Sequence, residues 1–338
     1  MSGITKIAVI GAGYWGPNLI RNFKNLSDSK VVLVCDLDQD RLDHVSSLFP
    51  GVGTTRDWHE VIASDVDAVC IATPVPWHFE MARAVIESGK HVFVEKPLTA
   101  DVCQARELVD SAAKRDLILL VDHTFVYSPA VNRIREIVSS GEIGDVYYVS
   151  MSRLNLGLFQ KDINVVWDLA PHDISILTYV LGSQPVQVSA QGNSNILPGI
   201  EDVAMLTLYF PDNVIAYVHV SWLDPSKVRK STFVGSKKML VYDDVEPLEK
   251  IKIYDKGVDG PRHYDTFGDF QFSYRYGDIH TPFLASTEPL QVECRHFLEC
   301  IAGRETPRSG GPAGLAVVQI IEAAQRSLKN GGSLEPII

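Results

Sequence analysis

Three short stretches hold residue types whose spacing suits chemistry rather than packing. The first is GAGYWG, which sets Gly11, Gly13 and Gly16 in the pattern G-x-G-x-x-G directly after the apolar run KIAVIG. In that pattern the first glycine permits a tight turn, the second lets a phosphate approach the backbone, and the third lets a helix pack close to a strand. Free N–H groups at the helix start complete an anion site, on a turn that also carries Tyr14 and Trp15. The second stretch is Glu95-Lys96-Pro97, at the end of a strand-like run. Proline after Lys96 restricts the lysine to extended backbone and leaves a cis bond open. The third is WDLAPHDI, where Asp168 and His172 stand four apart. On a helix they share a face and both reach one small ligand. That pair also suits two metal ligands, or a helix cap followed by a structural histidine. No third or fourth ligand with metal spacing accompanies it, so no metal is expected.

These residues need elements to position them. The strand-like runs KIAVIG, VVLVCD, DAVCIAT, HVFVEK and LILLVD alternate with segments of helical periodicity, among them WGPNLIRNFKNL, FEMARAVIESG and DVCQARELVDSAAK. Thr99 is placed to cap the helix after it, and Gly89 to close the helix before it. Strands alternating with such helices predict βαβ units and a doubly wound parallel sheet. Ligands bind at the carboxyl ends of those strands, which aims Lys96 into a cofactor crevice. The second strand ends at Asp36, twenty residues after Gly16. A carboxylate there accepts hydrogen bonds from both adenosine ribose hydroxyls and repels a 2′-phosphate, so NAD is the expected cofactor. Arg41 offers a 2′-phosphate a partner and keeps NADP as the lesser alternative.

The second half changes character. Helices are predicted over Pro129–Ser139 and 167–181. Strand candidates follow at VQVSAQG, VAMLTLYF, VIAYVHVSWL, KSTFVG, KMLVYDD and KIKIYDKG, rich in Val, Tyr, Phe and Thr. That pattern predicts an α+β domain with a large, open, mainly antiparallel sheet covered on one face by helices. EPLQVECRHFLECI and GLAVVQIIEAAQRSL read as two closing helices. A length of 338 residues favours two domains, divided as 1–122 and 123–338. With 46% hydrophobic and 22% charged residues the chain has globular proportions, and a net charge of −11 argues against a nucleic-acid partner. No apolar run is long enough for a membrane span, and the N-terminus lacks the pattern of a signal peptide. Cys35, Cys70, Cys103, Cys294 and Cys300 are odd in number and form no CxxC pair, which suits reduced thiols in the cytoplasm.

GAGYWG, ATPVPWHFEMARAVIESGKHVFVEKPLT and WDLAPHD together resemble the Gfo/Idh/MocA oxidoreductases, over essentially the whole chain. The resemblance implies an NAD(P)-binding Rossmann domain and a C-terminal domain whose open sheet face commonly builds homodimers or homotetramers. It places the family's lysine on Lys96, its aspartate and histidine on Asp168 and His172, and cofactor contacts on Thr73, Pro74 and His78, beside Glu95. HTFVYSP, with Phe125 and Tyr127, stands where many members carry an arginine-containing segment. The expected reaction is hydride transfer to or from a secondary alcohol. His172 has an imidazole suited to take the hydroxyl proton, Lys96 would stabilise the alkoxide, and Asp168 would orient the hydroxyl. The roles of Lys96 and His172 are exchangeable. GYWGPNLIRNF, SRLNLG and EPLQVECRHFLECI look most like members acting on the 3-hydroxyl of nucleotide-linked sugars, of the UDP-N-acetylglucosamine or uronate class. A diphosphate would need cations, for which Arg153 leads and Lys161, Lys227, Arg229, Lys230 and Arg275 follow. Asn155 and Tyr148 could add hydrogen bonds, and Trp222 or FGDFQFSYRYGD could stack on a base. A free-sugar or inositol dehydrogenase and a non-catalytic NAD-binding sensor are the alternatives.

Overall fold

The computed structural model describes residues 3–161, 163–259 and 272–338. The chain divides into two units, Met1–Ser128 with Thr287–Glu322, and Pro129–Ser286 with Ala323–Ile338.

The first unit runs β1 Thr5–Ile10, α1 Gly16–Lys24, β2 Ser29–Cys35, α2 Gln39–Leu48, β3 Gly53–Thr55, α3 Trp58–Ala63, β4 Ala68–Ile71, α4 His78–Glu87, β5 His91–Glu95, α5 Val102–Lys114 and β6 Leu119–Asp122. A short 3-10 turn, Thr124–Tyr127, follows. The strands lie in the order β3-β2-β1-β4-β5-β6, and every pairing is parallel. Ile7 to Ile10, Ala68 to Ile71 and Leu119 to Val121 are buried, as strands covered on both faces require. The strand order reverses between β1 and β4, which opens a crevice at their carboxyl ends. Gly89, with φ of +79°, ends α4 as expected. The cap of α5 is Asp101 rather than Thr99. The Asp101 carboxylate accepts from the Gln104 N–H at 2.9 Å, and the Thr99 hydroxyl donates to the Asp101 carbonyl oxygen.

The second unit holds α6 Pro129–Ser139, β7 Val146–Leu156, α7 Val165–Leu181, β8 Gln187–Asn193, β9 Val203–Tyr209, β10 Ile215–Ser221, β11 Leu223–Gly235, β12 Met239–Asp243, β13 Ile251–Asp259, β14 Ser273–His280 and the short β15 Glu335–Pro336. They form one sheet, β14-β13-β12-β11-β7-β10-β9-β8-β15, antiparallel except where β10 pairs with β7. Val149 and Met151 on β7, Ala216 and Val218 on β10, and Leu206 on β9 are buried on the face that packs α7. Met205 and Tyr217, at alternate positions, are exposed on the other face. α7 starts two residues before the predicted 167, because Asn164 caps it by accepting from the Trp167 N–H.

Two helices close the chain, α8 Pro289–Ile301 and α9 Gly311–Lys329. Residues 287–322 belong to the first unit, which a single cut after residue 122 does not anticipate. The reason is apolar. Phe297 of α8 packs edge-on against Phe93 at 5.5 Å and near Phe23 at 6.3 Å, inside the core beneath α1. Arg21 of α1 adds a two-pronged ion pair to Glu288.

Candidate cofactor site and substrate motifs

A cavity of about 760 Å³ opens at the carboxyl ends of β1, β2, β4 and β5. Gly11, Gly13, Tyr14 and Trp15 line it from the first turn, Asp36 from the end of β2, Thr73 and Pro74 from the end of β4, and Glu95 and Lys96 from the end of β5. The three glycines divide their roles as the spacing predicts. A Cβ on Gly11 would fall 2.3 Å from the Ala72 carbonyl oxygen, and one on Gly16 would fall 2.1 Å from the Gly11 oxygen. At Gly13 the nearest atom is Arg41 Nη1 at 3.7 Å, so this backbone stands open to a ligand. Gly16 is the first residue of α1, whose leading N–H groups face the turn.

Asp36 does two things at once. Its Oδ2 accepts from the Ala12 N–H at 2.7 Å and its Oδ1 from the Asp38 N–H at 2.9 Å. The carboxylate therefore holds the glycine turn and keeps lone pairs for ribose hydroxyls. Arg41 lies 3.6 Å from Asp36 and 3.5 Å from Asp38, drawn to these acids. Open backbone at Gly13, a helix N-terminus and a ribose-accepting acid on one cavity wall fit NAD. Tyr14, 83% exposed, and Trp77, half exposed, form apolar lips.

His78 lies elsewhere than expected. It is buried, and it is not among the cavity-lining residues. Its Nδ1 lies 2.9 Å from the Pro97 carbonyl oxygen and its Nε2 2.8 Å from that of Thr73. Burial lowers its pKa, so the neutral ring donates to one of these oxygens. The imidazole thus tethers the loops that carry Thr73 and Lys96. Lys96 is half-buried, and its bond to Pro97 is cis. Sequence reasoning passed over Leu37, Asp38, Trp58, Trp77 and Met81, which also line the cavity. Trp77 stood inside a quoted motif; nothing local marks Trp58.

In the second unit, Asp168 and His172 lie on α7 as the spacing predicts. Asp168 Oδ2 accepts from the Trp222 indole N–H at 3.0 Å, which fixes the carboxylate. Trp222 is 1% exposed, packs against Phe159 and leaves no face for a base. Asn155 sits half-buried on β7 near Gly157, where a Cβ would meet the Trp222 ring at 2.7 Å. Arg153 is a correction. It is 5% exposed and bonded through Nε and Nη2 to the two oxygens of Asp173, each at 2.9 Å. Alternation along β7 turns it inward under α7, so it leaves the list of phosphate partners. Arg229 pairs with Asp244 and Arg275 with Asp255, whereas Lys161, Lys227 and Lys230 are exposed. Tyr148 is partly exposed on β7, and residues 267–271 of the aromatic stretch lie outside the described residues.

Residues 5–123 match the Gfo/Idh/MocA model of an oxidoreductase family with an NAD-binding Rossmann fold, and residues 131–241 match the family's C-terminal domain. The UDP-N-acetylglucosamine 3-dehydrogenase of Acidithiobacillus ferrooxidans is 30% identical across 93% of this chain and 94% of its own. The chain belongs to the Gfo/Idh/MocA family. The myo-inositol 2-dehydrogenase of Thermotoga maritima is 23% identical over 98% of this chain and 99% of its own. The WlbA dehydrogenase of Bordetella pertussis, solved with NADH and UDP-GlcNAcA, shares the fold at 18% identity. Its TM-score is 0.80, with 99% of each chain covered. As a Gfo/Idh/MocA member the protein is an NAD-dependent dehydrogenase acting on CH–OH groups of sugar-like alcohols.

Proposed function

We propose that the protein oxidises, or in reverse forms, the 3-hydroxyl of a nucleotide-linked sugar of the UDP-N-acetylglucosamine class. The observation that carries the reading is the cavity wall on which an NAD-type glycine turn, Asp36 and Lys96 stand together. Support for the sugar comes from the relative at 30% identity, itself a UDP-N-acetylglucosamine 3-dehydrogenase. When bound, NAD supplies the hydride acceptor. Lys96 holds the substrate oxygen and stabilises negative charge as the hydroxyl proton leaves. His172 takes that proton, since an imidazole titrates near neutrality. Asp168, its carboxylate fixed by Trp222, orients the sugar. The exposed sheet face around Met205 and Tyr217 is assigned to a second copy of the chain; a monomer at micromolar concentration in light scattering would refute that assignment.

A free-sugar or inositol dehydrogenase is the second reading. It is favoured by the loss of Arg153 to Asp173, which removes the leading phosphate partner. A panel of UDP-sugars, dTDP-sugars, free sugars and inositols, followed by reduced-nicotinamide absorbance, separates the two. Turnover of a UDP-sugar, inhibited by UDP, is the expected result, whereas turnover of free inositols alone supports the second reading. His172→Asn should lower kcat by about 10²-fold or more while leaving NAD affinity intact. Normal turnover in that variant would overturn its assignment.

A further inference from the structure

The path of the chain through the second sheet brings a tryptophan to the substrate motif. β10 and β11 follow one another in sequence, yet they flank β7 on its two sides, β10 parallel to it and β11 antiparallel. The crossing takes a single residue. Ser221 still pairs with Leu154 and Leu223 already pairs with Leu156, so Trp222 must cross the carboxyl end of β7. Gly157, the next residue of that strand end, donates its N–H to the Trp222 carbonyl oxygen at 2.9 Å. A Cβ on Gly157 would stand 2.7 Å from the indole Cδ1 and 3.1 Å from Cγ. Glycine is what lets the ring settle against the backbone there.

The rest of the residue is held as firmly. The Trp222 backbone N–H donates to the Asp202 carbonyl oxygen at 2.9 Å. Asp202 is itself completely buried, and its carboxylate accepts from the Asn195 and Ile196 amides. Phe159 packs against the indole at 5.5 Å between ring centres. A buried indole N–H needs a partner inside the protein, and here it is Asp168 Oδ2 at 3.0 Å. Indole can only donate, so the oxygen it meets is held as an acceptor. Asp168 lies in the first turn of α7, four residues before His172.

We propose that Trp222, seated by Gly157, is a positioning residue for hydride transfer, which sets the Asp168 carboxylate in the orientation that aligns the substrate hydroxyl. A carboxylate released from the indole still meets a hydroxyl, but out of line for the transfer, so the loss falls on kcat more than on KM. The proposal rests on the reading of Asp168 as the residue that orients the substrate, and not on the choice of sugar.

Two measurements on the full chain test it. The first needs neither cofactor nor substrate. In protein labelled with ¹⁵N-tryptophan, the Trp222 indole resonance is assigned by its loss in Trp222→Phe. It should move in Asp168→Ala, which removes its acceptor, and in Gly157→Ala, which displaces the ring. A resonance unmoved in Asp168→Ala overturns the hydrogen bond, and one unmoved in Gly157→Ala overturns the seat. The second is a double-mutant cycle in steady-state turnover with NAD and UDP-N-acetylglucosamine, or myo-inositol under the second reading. Benzothienylalanine at position 222 puts sulfur in place of the indole N–H and keeps the ring, so a failure of Trp222→Phe to fold does not close the test. That replacement should lower kcat by about tenfold or more and change KM by less than about threefold. In an Asp168→Ala background it should cost less than about twofold, because its route to the substrate is gone. Losses that multiply in the double variant would make Trp222 a residue of the fold alone and overturn the proposal, as would an unchanged kcat in the single one. Normal turnover in Asp168→Ala, with the indole resonance moved, would instead refute the role of Asp168, and the positioning role of Trp222 falls with it.

Discussion

Asp36 shows how much one side chain decides at this site. Its two oxygens already hold the Ala12 and Asp38 amides, so the carboxylate cannot rotate away from a ribose. Its charge faces the position a 2′-phosphate would take, and it draws Arg41 to 3.6 Å. In Asp36→Ser the repulsion is gone and Arg41 is released to meet that phosphate. The ratio of NADP to NAD dissociation constants should fall by about tenfold or more, read by calorimetry with each cofactor. An unchanged preference would show that Asp36 does not select the cofactor. This residue was legible in the sequence because its role depends on local spacing from Gly16. Lys96 was legible for the same reason, as the end of a strand. Arg153 was not, because its fate depends on an aspartate on α7 that local spacing does not connect with β7. His78 lay between: its motif was visible, but a motif does not say whether an imidazole faces the ligand or the carbonyls behind it.

At the scale of the element, the β1–α1 turn joins fold and binding in a way single substitutions can separate. Gly11 and Gly16 have carbonyl oxygens within 2.3 Å of where a methyl would stand, whereas Gly13 has open space. Gly11→Ala and Gly16→Ala must move backbone, and should each destabilise the cofactor-free protein by about 2 kcal/mol or more in chemical denaturation. Gly13→Ala should melt near the wild type yet bind NAD at least about tenfold more weakly, because its methyl occupies the approach to the pyrophosphate. Equal loss of stability in all three would refute this division. The helices and most strands were readable from periodicity, and Gly89 from its place after α4. The α5 cap fell to Asp101 because a carboxylate two residues nearer the helix reaches the Gln104 amide. The return of α8 to the first unit could not be read locally. Its apolar stripe looks like any other, and only Phe23 and Phe93 say where Phe297 belongs.

For the whole molecule, a charge of −11 and a cofactor with a dianionic diphosphate pose an electrostatic question that the site answers locally. The cavity is lined by two cations, Arg41 and Lys96, against the carboxylates Asp36 and Asp38. Arg41 is already shared with Asp36 and Asp38. A diphosphate would therefore meet no excess of side-chain cations, which leaves the backbone N–H groups of the glycine turn and the first turn of α1 as its expected partners. Those are fixed dipoles at contact distance, which added salt screens little, whereas repulsion from distant surface acids is screened once the Debye length shrinks to a few ångströms. NAD affinity should accordingly stay level or rise slightly as ionic strength goes from about 0.05 to 0.5 M. A ligand gripped by lysines and arginines would instead weaken steadily over that range. Calorimetric titration across a sodium chloride series decides between the two. A fall of about tenfold or more would mean that cations, not the helix and its glycines, carry the phosphates.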